Sequence, residues 1–266
     1  SPNIITSLQG RVPGLQINSG GTPGGNDSQI AIRGLTTITA GSSPLWVIDG
    51  VQTFNPSSLN PDEIASIQVL KDGASTALYG TSAANGVIVV TTKKGKAGDA
   101  RVKFSSSYGF GEMIPNNFDL MNASQKLELE RQYAALGVSA ASSMPGANAT
   151  PEELARLTSL DTDWQEALLK NSVIQSNNLS VSGGDEKLTY YLSLGYDKNS
   201  GIIENIDGFE RVSARLNTNY QAKDWLNIGA NVSVSRSTTD LPRDRNNVQN
   251  PFRAMPMLLE SFPLFG

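Results

Sequence analysis

Between Arg101 and Ser235 the chain repeatedly alternates apolar and polar side chains, in runs longer than the strands of most soluble domains. In residues 101–113, Val102, Phe104, Tyr108 and Phe110 share one face, broken only by Ser106. Lys103, Ser105, Ser107, Gly109 and Gly111 share the other. Leu179 and Val181 begin a second run. Next, Leu188, Tyr190, Leu192, Leu194 and Tyr196 oppose Thr189, Tyr191, Ser193 and Asp197. Val212, Ala214, Leu216, Thr218 and Tyr220 then oppose Ser213, Arg215, Asn217, Asn219 and Gln221. Leu226, Ile228, Ala230, Val232 and Val234 oppose Asn227, Asn231, Ser233 and Ser235. A period of two predicts strands with one apolar and one wet face, which fits either a soluble sandwich or a membrane barrel with its apolar face outward.

Two features favour the barrel. The polar face is rich in Asn, Ser, Thr and Gly, as for a water-filled lumen. Tyr108, Tyr196, Tyr220 and Trp225 fall near strand ends, where interfacial girdles sit; plain cross-strand packing is the rival reading. Short connections (182–187 and 221–227) alternate with long ones (115–173 and 198–210), as periplasmic turns and outer loops do. Leu192→Arg, on the apolar face, is accordingly expected to cost about 2–4 kcal/mol near a bilayer midplane, and Ser193→Arg little. With neither Cys nor His, metal sites and Cys- or His-based catalysis are excluded. A net charge of −4 offers no stripe for nucleic acid. The chain shows no signal peptide and no apolar run long enough for a spanning helix.

Residues 60–94, NPDEIASIQVLKDGASTALYGTSAANGVIVVTTKK, read as a compact α/β unit. Asn60 suits a helix N-cap, Pro61 the first helical position, and Glu63 folds back onto the cap. SIQVL (66–70) is a strand. Asp72 caps a short helix over 74–79, which Gly80 ends. GVIVVTT (86–92) is the β-branched run of a strand buried on both faces. The stretch SIQVLKDGASTALYGTSAANGVIVVTTKKG resembles the second half of the plug domain of TonB-dependent outer-membrane transporters. Its Lys-Asp before the short helix and Ala-Ala-Asn-Gly before the last strand are similar to the SusC/RagA branch of Bacteroidota. The resemblance implies an α+β plug domain over 1–96. Over 97–266 it implies the start of an antiparallel transmembrane β-barrel, with a helical outer-loop insertion at about 115–173. Five strands cannot close a barrel, so the chain is expected to be a fragment of a 22-stranded one.

Upstream, a short helix is expected over 3–9 and a strand near Gly14. The Gly-rich loop 19–28 lacks the Gly-Lys-Ser/Thr ending of a phosphate cradle, and is expected to be a connector. QIAIRGL (29–35) and PLWVIDGV (44–51) are strands, and both strings match the plug pattern in family order. Arg33 is either a latch to the barrel wall or a strand-end charge paired with a carboxylate. Asp49, before Gly50, is a turn former in preference to an acid catalyst. Lys71 and Asp72 complete the plug motif, as gating or structural residues. Residues 95–99 form a hinge.

Residues 122–171 are helical rather than β. Asn122 caps a helix carrying Leu127, Leu129, Tyr133 and Leu136 and ending at Gly137; Thr150, Pro151 and Glu153 form a second start with a capping box. In DTDWQEALLKN, Asp161 and Asp163 are caps or turn formers before an acid/base pair, and the TDWQ element resembles the family's.

The resemblance implies TonB-dependent active import, with the plug as gate, no covalent chemistry and no cofactor. Its partners would be a SusD-like surface lipoprotein, the TonB-ExbB-ExbD complex and outer-membrane lipid. Cargo would be glycan oligosaccharides, with RagA-like peptide import or TonB-dependent signal transduction as alternatives. Trp46, Phe54, Phe252 and Phe262 are candidate ligand-facing aromatics, with packing as the competing role.

Overall fold

The computed structural model describes residues 3–10, 12, 15–18, 22–25, 28–32, 43–73, 77–114, 121–138, 144–160 and 162–242. Its contacts divide the chain into two units. One comprises Ser1–Gly111, Ser172–Gly201 and Asp207–Leu241; the other comprises Glu112–Asn171, Ile202–Ile206 and Pro242–Gly266.

The first unit opens with a one-turn helix, α1 (Ile4–Ser7), capped by Asn3, and a two-stranded antiparallel sheet, β1 (Leu15–Asn18) with β2 (Gln29–Ile32). Four more strands follow: β3 (Leu45–Ile48), β4 (Val51–Thr53), β5 (Ile64–Leu70) and β6 (Val87–Thr92). They form a sheet of order β4-β3-β6-β5, in which β3 and β6 are parallel. Its centre is β6, and the unbroken VIVV run is explained by burial on both sides. Ile88 and Val90 face a core shared with Ile4, Leu8, Ile30, Ile32, Trp46 and Leu59, while Val87 packs with Leu45, Val47 and Ala83. Asp49 (φ 48°) and Gly50 (φ 89°) make the two-residue turn that pairs Ile48 with Val51. Positive φ at both turn positions matches the twist of a tight hairpin.

Three local expectations change here. Asn60 does cap, accepting from the Asp62 N–H at 2.9 Å, but only a 3-10 turn, Pro61–Glu63, follows before β5. The Glu63 side chain does not fold back onto the cap; a tertiary partner takes it. Of the helix expected over 74–79, residues 74–76 lie outside the described ones and Ala77–Tyr79 is a 3-10 turn.

A five-stranded antiparallel wall completes this unit: β7 (Gly98–Gly111), β8 (Ser172–Gly184), β9 (Leu188–Asn199), β10 (Phe209–Lys223) and β11 (Leu226–Thr239). Each strand pairs with its neighbour in the chain. Its two faces differ as the alternation predicts. Val102, Val181, Leu192, Leu216 and Val232 lie in one register row, and Phe104, Leu179, Leu194, Ala214 and Val234 in the next, both on the outward face. The opposite face buries Tyr191, Ser193, Asp197, Arg211, Ser213, Arg215 and Asn217.

The strand β8 begins at Ser172, well before the alternation at Leu179 shows it. Gln175 and Asn177 stand on the outward face beside Tyr108 and Ser106. Gln175 donates to the Tyr108 hydroxyl at 2.8 Å, and Ser106 donates to Asn177 Oδ1 at 2.7 Å. The same lateral pairing explains why Ser106 interrupts its own strand. Ser193 overturns a second expectation: it is fully buried, so an arginine there has no room and is no longer a harmless lumen substitution.

The β8–β9 turn is built by Asp185, whose Oδ1 accepts from the N–H groups of Lys187 at 2.8 Å and Leu188 at 2.7 Å. These backbone donors, Leu188 first and Lys187 second, hold its carboxyl below the usual carboxylate range. A depressed folded pKa contributes stability above the unfolded value and loses it as pH falls through the folded one. Exchange protection of the Leu188 amide, corrected for intrinsic rates, is therefore expected to fall only in acid, below about pH 4. Asp185→Asn keeps an acceptor without the titration and should flatten that dependence; identical profiles for the two proteins would refute the assignment.

In the second unit, α2 (Ala123–Ala135) starts in a reciprocal capping box between Asn122 and Gln125. Gly137, at φ 73°, follows its end. Then come α3 (Pro145–Asn148), α4 (Pro151–Thr158), where Thr150 accepts from the Glu153 N–H at 3.2 Å, and α5 (Trp164–Leu168), where Asp163 accepts from the Glu166 N–H at 3.0 Å. Of the apolar residues expected on α2, Leu127 is buried. Ala123, Leu127 and Glu130 are buried at helical spacing, whereas Tyr133 and Leu136 are exposed. Glu130 is accounted for by the Gly146 N–H, which donates to its Oε2 at 2.8 Å.

Candidate functional site

The polar face of β8–β10 carries its charges against the N-terminal α/β part. Arg215 projects from the middle of β10 and donates from Nε to Glu63 Oε2 at 2.7 Å, with Nη1 3.8 Å from Asp49 Oδ2. The other Glu63 oxygen accepts from the Ser193 hydroxyl of β9 at 2.7 Å. Asp49 in turn clasps the end of β6. Its Oδ1 accepts from the Thr92 N–H at 2.9 Å, and its Oδ2 accepts from the Thr92 hydroxyl at 2.5 Å. Asn217, one β-step below Arg215, donates to Thr92 Oγ1 at 2.9 Å and to the Lys93 carbonyl at 2.7 Å. One connected network thus ties Ser193, Arg215 and Asn217 of the wall to Glu63, Asp49, Thr92 and Lys93.

A second cluster sits further along β10. Arg211 pairs with Asp197 of β9 (Nη2–Oδ2 2.7 Å), and its Nη1 donates to the carbonyls of Ser57 at 3.0 Å and Leu59 at 3.2 Å. Ser176 of β8 donates to the remaining Asp197 oxygen at 2.7 Å. Between the clusters the wall has no side chain at Gly195. A Cβ there would lie 2.3 Å from the Asn60 amide nitrogen, so glycine sets how closely the two parts approach.

Such an arrangement fastens without chemistry. Arg215, Glu63 and Asp49 are almost wholly withdrawn from solvent, and each would be left uncompensated if its partner were removed. Ions, amides and hydroxyls nevertheless regain water when the surfaces part. The polar part of the contact would therefore expose no apolar area on parting, whereas the Phe209 ring, 3% exposed, belongs to an apolar part.

The structure brings one sequence-predicted residue, Asp49, into this network, where it serves both the β3–β4 turn and the ion cluster. Arg33, Phe252 and Phe262 lie outside the described residues. Lys71 and Asp72 follow β5, which ends at Leu70. Trp46 is corrected: it is 1% exposed in the shared core, packing rather than facing a ligand. Phe54 is 63% exposed. Glu63, Asp197, Arg211, Arg215 and Asn217 were not singled out from sequence. For the wall residues Asp197, Arg211, Arg215 and Asn217 the signal was charge and amide on the polar face of a strand, where a barrel needs only small neutral groups.

Comparison with known proteins agrees with this geometry. Residues 1–87 match the family described as TonB-dependent Receptor Plug Domain. The chain is 35% identical over 240 residues to TonB-dependent receptor P39 of Formosa agariphila, covering 90% of this chain and 22% of that protein. It is 34% identical over 226 residues to TonB-dependent receptor SusC of Bacteroides thetaiotaomicron, covering 81% of this chain and 21% of that one. Among solved structures, the RagAB peptide transporter superposes with a TM-score of 0.77 at 29% identity, over 90% of this chain and 29% of that one. The siderophore receptor PirA of Acinetobacter baumannii shares the fold at a TM-score of 0.53, 19% identity, and 89% and 29% coverage. An α/β plug seated on the polar face of an antiparallel β-wall defines a TonB-dependent receptor. Within that class, this chain belongs to the SusC/RagA-type transporters. It spans about a fifth of the length of the curated relatives it matches.

Proposed function

We propose that the whole protein imports nutrient oligomers across the outer membrane by TonB-dependent active transport, with the α/β part as gate. On this reading residues 1–96 are the plug and 97–266 the start of the barrel, with 115–173 as an outer-loop insertion. The barrel lies in the outer membrane, a SusD-like lipoprotein closes it from outside, and the TonB-ExbB-ExbD complex supplies the pull. The observation that carries the proposal is the buried polar fastening between plug and wall. An interface of ion pairs and hydrogen bonds holds a closed gate, yet separates into water under load. A purely structural domain would be stabilised more simply by apolar interdigitation.

Glycan oligosaccharides are the proposed cargo class, as the family resemblance of residues 66–95 implies. Peptides are the second reading, supported by the superposition on a peptide transporter. Purifying the full-length protein from native outer membranes, with mass spectrometry of what accompanies it, tests both. A surface lipoprotein with bound oligosaccharide is the expected result, and bound peptides would transfer the cargo assignment. Recovery with neither lipoprotein nor ligand would overturn the import proposal in favour of signal transduction.

A further inference from the structure

Asn3 bonds to carbonyls 21 and 22 residues along the chain. Its side chain is buried and works in two directions. Oδ1 accepts from the Ile5 N–H at 2.6 Å, capping α1. Nδ2 donates to the carbonyls of Gly24 at 2.6 Å and Gly25 at 3.2 Å. Those glycines form the turn Pro23–Gly25 at φ 76° and 65°, and the turn rests on the wall. A Cβ at Gly24 would lie 2.3 Å from the Phe209 ring at the start of β10, and one at Gly201, after β9, would lie 2.9 Å from Pro23. A continuous series of contacts therefore runs from the β9–β10 end of the wall, through the turn, to Asn3 and α1.

We propose that Asn3 is a positioning residue that couples this end of the wall to the N-terminal helix. A buried amide that accepts on one side and donates twice on the other cannot follow a displaced turn and keep its cap unchanged. Any shift of Pro23–Gly25 either strains the α1 cap or breaks the Asn3 bonds to the Gly24 and Gly25 carbonyls, the second of which also accepts from the Ser28 N–H at 3.0 Å. Asp and Ser cap helices as well as Asn does, but neither reaches the two carbonyls with an N–H. The coupling rests on this geometry and not on the identity of the cargo.

Spatial continuity alone does not demonstrate coupling, and a double-mutant cycle does. In the full-length receptor, Phe209→Ala withdraws the ring from Gly24. Hydrogen exchange of the Ser7 and Leu8 amides should then rise about three- to tenfold. In the N3D and N3S backgrounds, where the cap remains and the donor link is gone, F209A should add nothing further. The β6 amides, Val87–Thr92, report whether each variant is folded, and Phe209→Leu replaces F209A if their protection is lost. An equal acceleration with and without Asn3, or none with Asn3 present, would overturn the coupling.

Discussion

Replacing Arg215 by leucine should weaken the seating of the plug on the wall by about 3–5 kcal/mol, the cost of breaking a buried ion pair from one side. Among the described residues Arg215 is the cation paired with Glu63 and Asp49, so R215L leaves two carboxylates close together and withdrawn from water. Ser193 and Thr92 still donate to them but bring no charge. Urea titration of β6 amide protection in the full-length receptor measures the effect, because β6 ends at the Asp49–Thr92 clasp. Adding Glu63→Gln and Asp49→Asn to R215L should recover part of the loss, since neutral amides carry a smaller desolvation penalty than orphaned carboxylates. If R215L protected β6 as well as the wild type does, the cluster would not be what seats the plug.

The parts of this fold legible in the sequence are those that local rules govern. The period of two in β9 and β10, the unbroken apolar run of β6 and the Asn122 cap each depend on neighbours in the chain. They appear in the structure where expected. What escaped notice depends on distant partners. Glu63 satisfies a capping box by spacing, but Arg215 lies 152 residues away and offers a stronger bond than a backbone N–H does. Trp46 has the side chain of a sugar platform, and only the packing of two sheets shows that it is interior. Gln175 and Asn177 hide the first half of β8 because their hydrogen bonds run sideways to β7, which no single-strand pattern reveals. Arg215 was plainly visible on the polar face, and the alternation of β10 places Arg211 there too, two steps earlier. What a linear reading lacked was a reason for a cation there, and that reason is the plug.

The facing of the wall yields the other large effect. Leu192→Arg is expected to cost about 2–4 kcal/mol in the full-length protein if its row lies near the bilayer midplane. Leu192 is a suitable probe because its register row is apolar on all five strands, from Val102 through Val181 and Leu216 to Val232, and the row of Leu194 is apolar as well. A guanidinium placed there finds no polar neighbour within its row or in the row of Leu194, and must reach the row of Tyr190 and Thr218 for polar company. The matched control is on β11 rather than at Ser193, whose hydroxyl is already committed to Glu63. Ser235 lies on the opposite face from Val234 and is exposed in its own row beside Ser213, so Ser235→Arg should leave outer-membrane yield close to that of the wild type. Reduced yield for L192R with normal yield for S235R would place the apolar face in lipid. Equal yields would mean that the exposed leucines and valines meet something other than acyl chains, and the membrane assignment of this wall would have to be withdrawn.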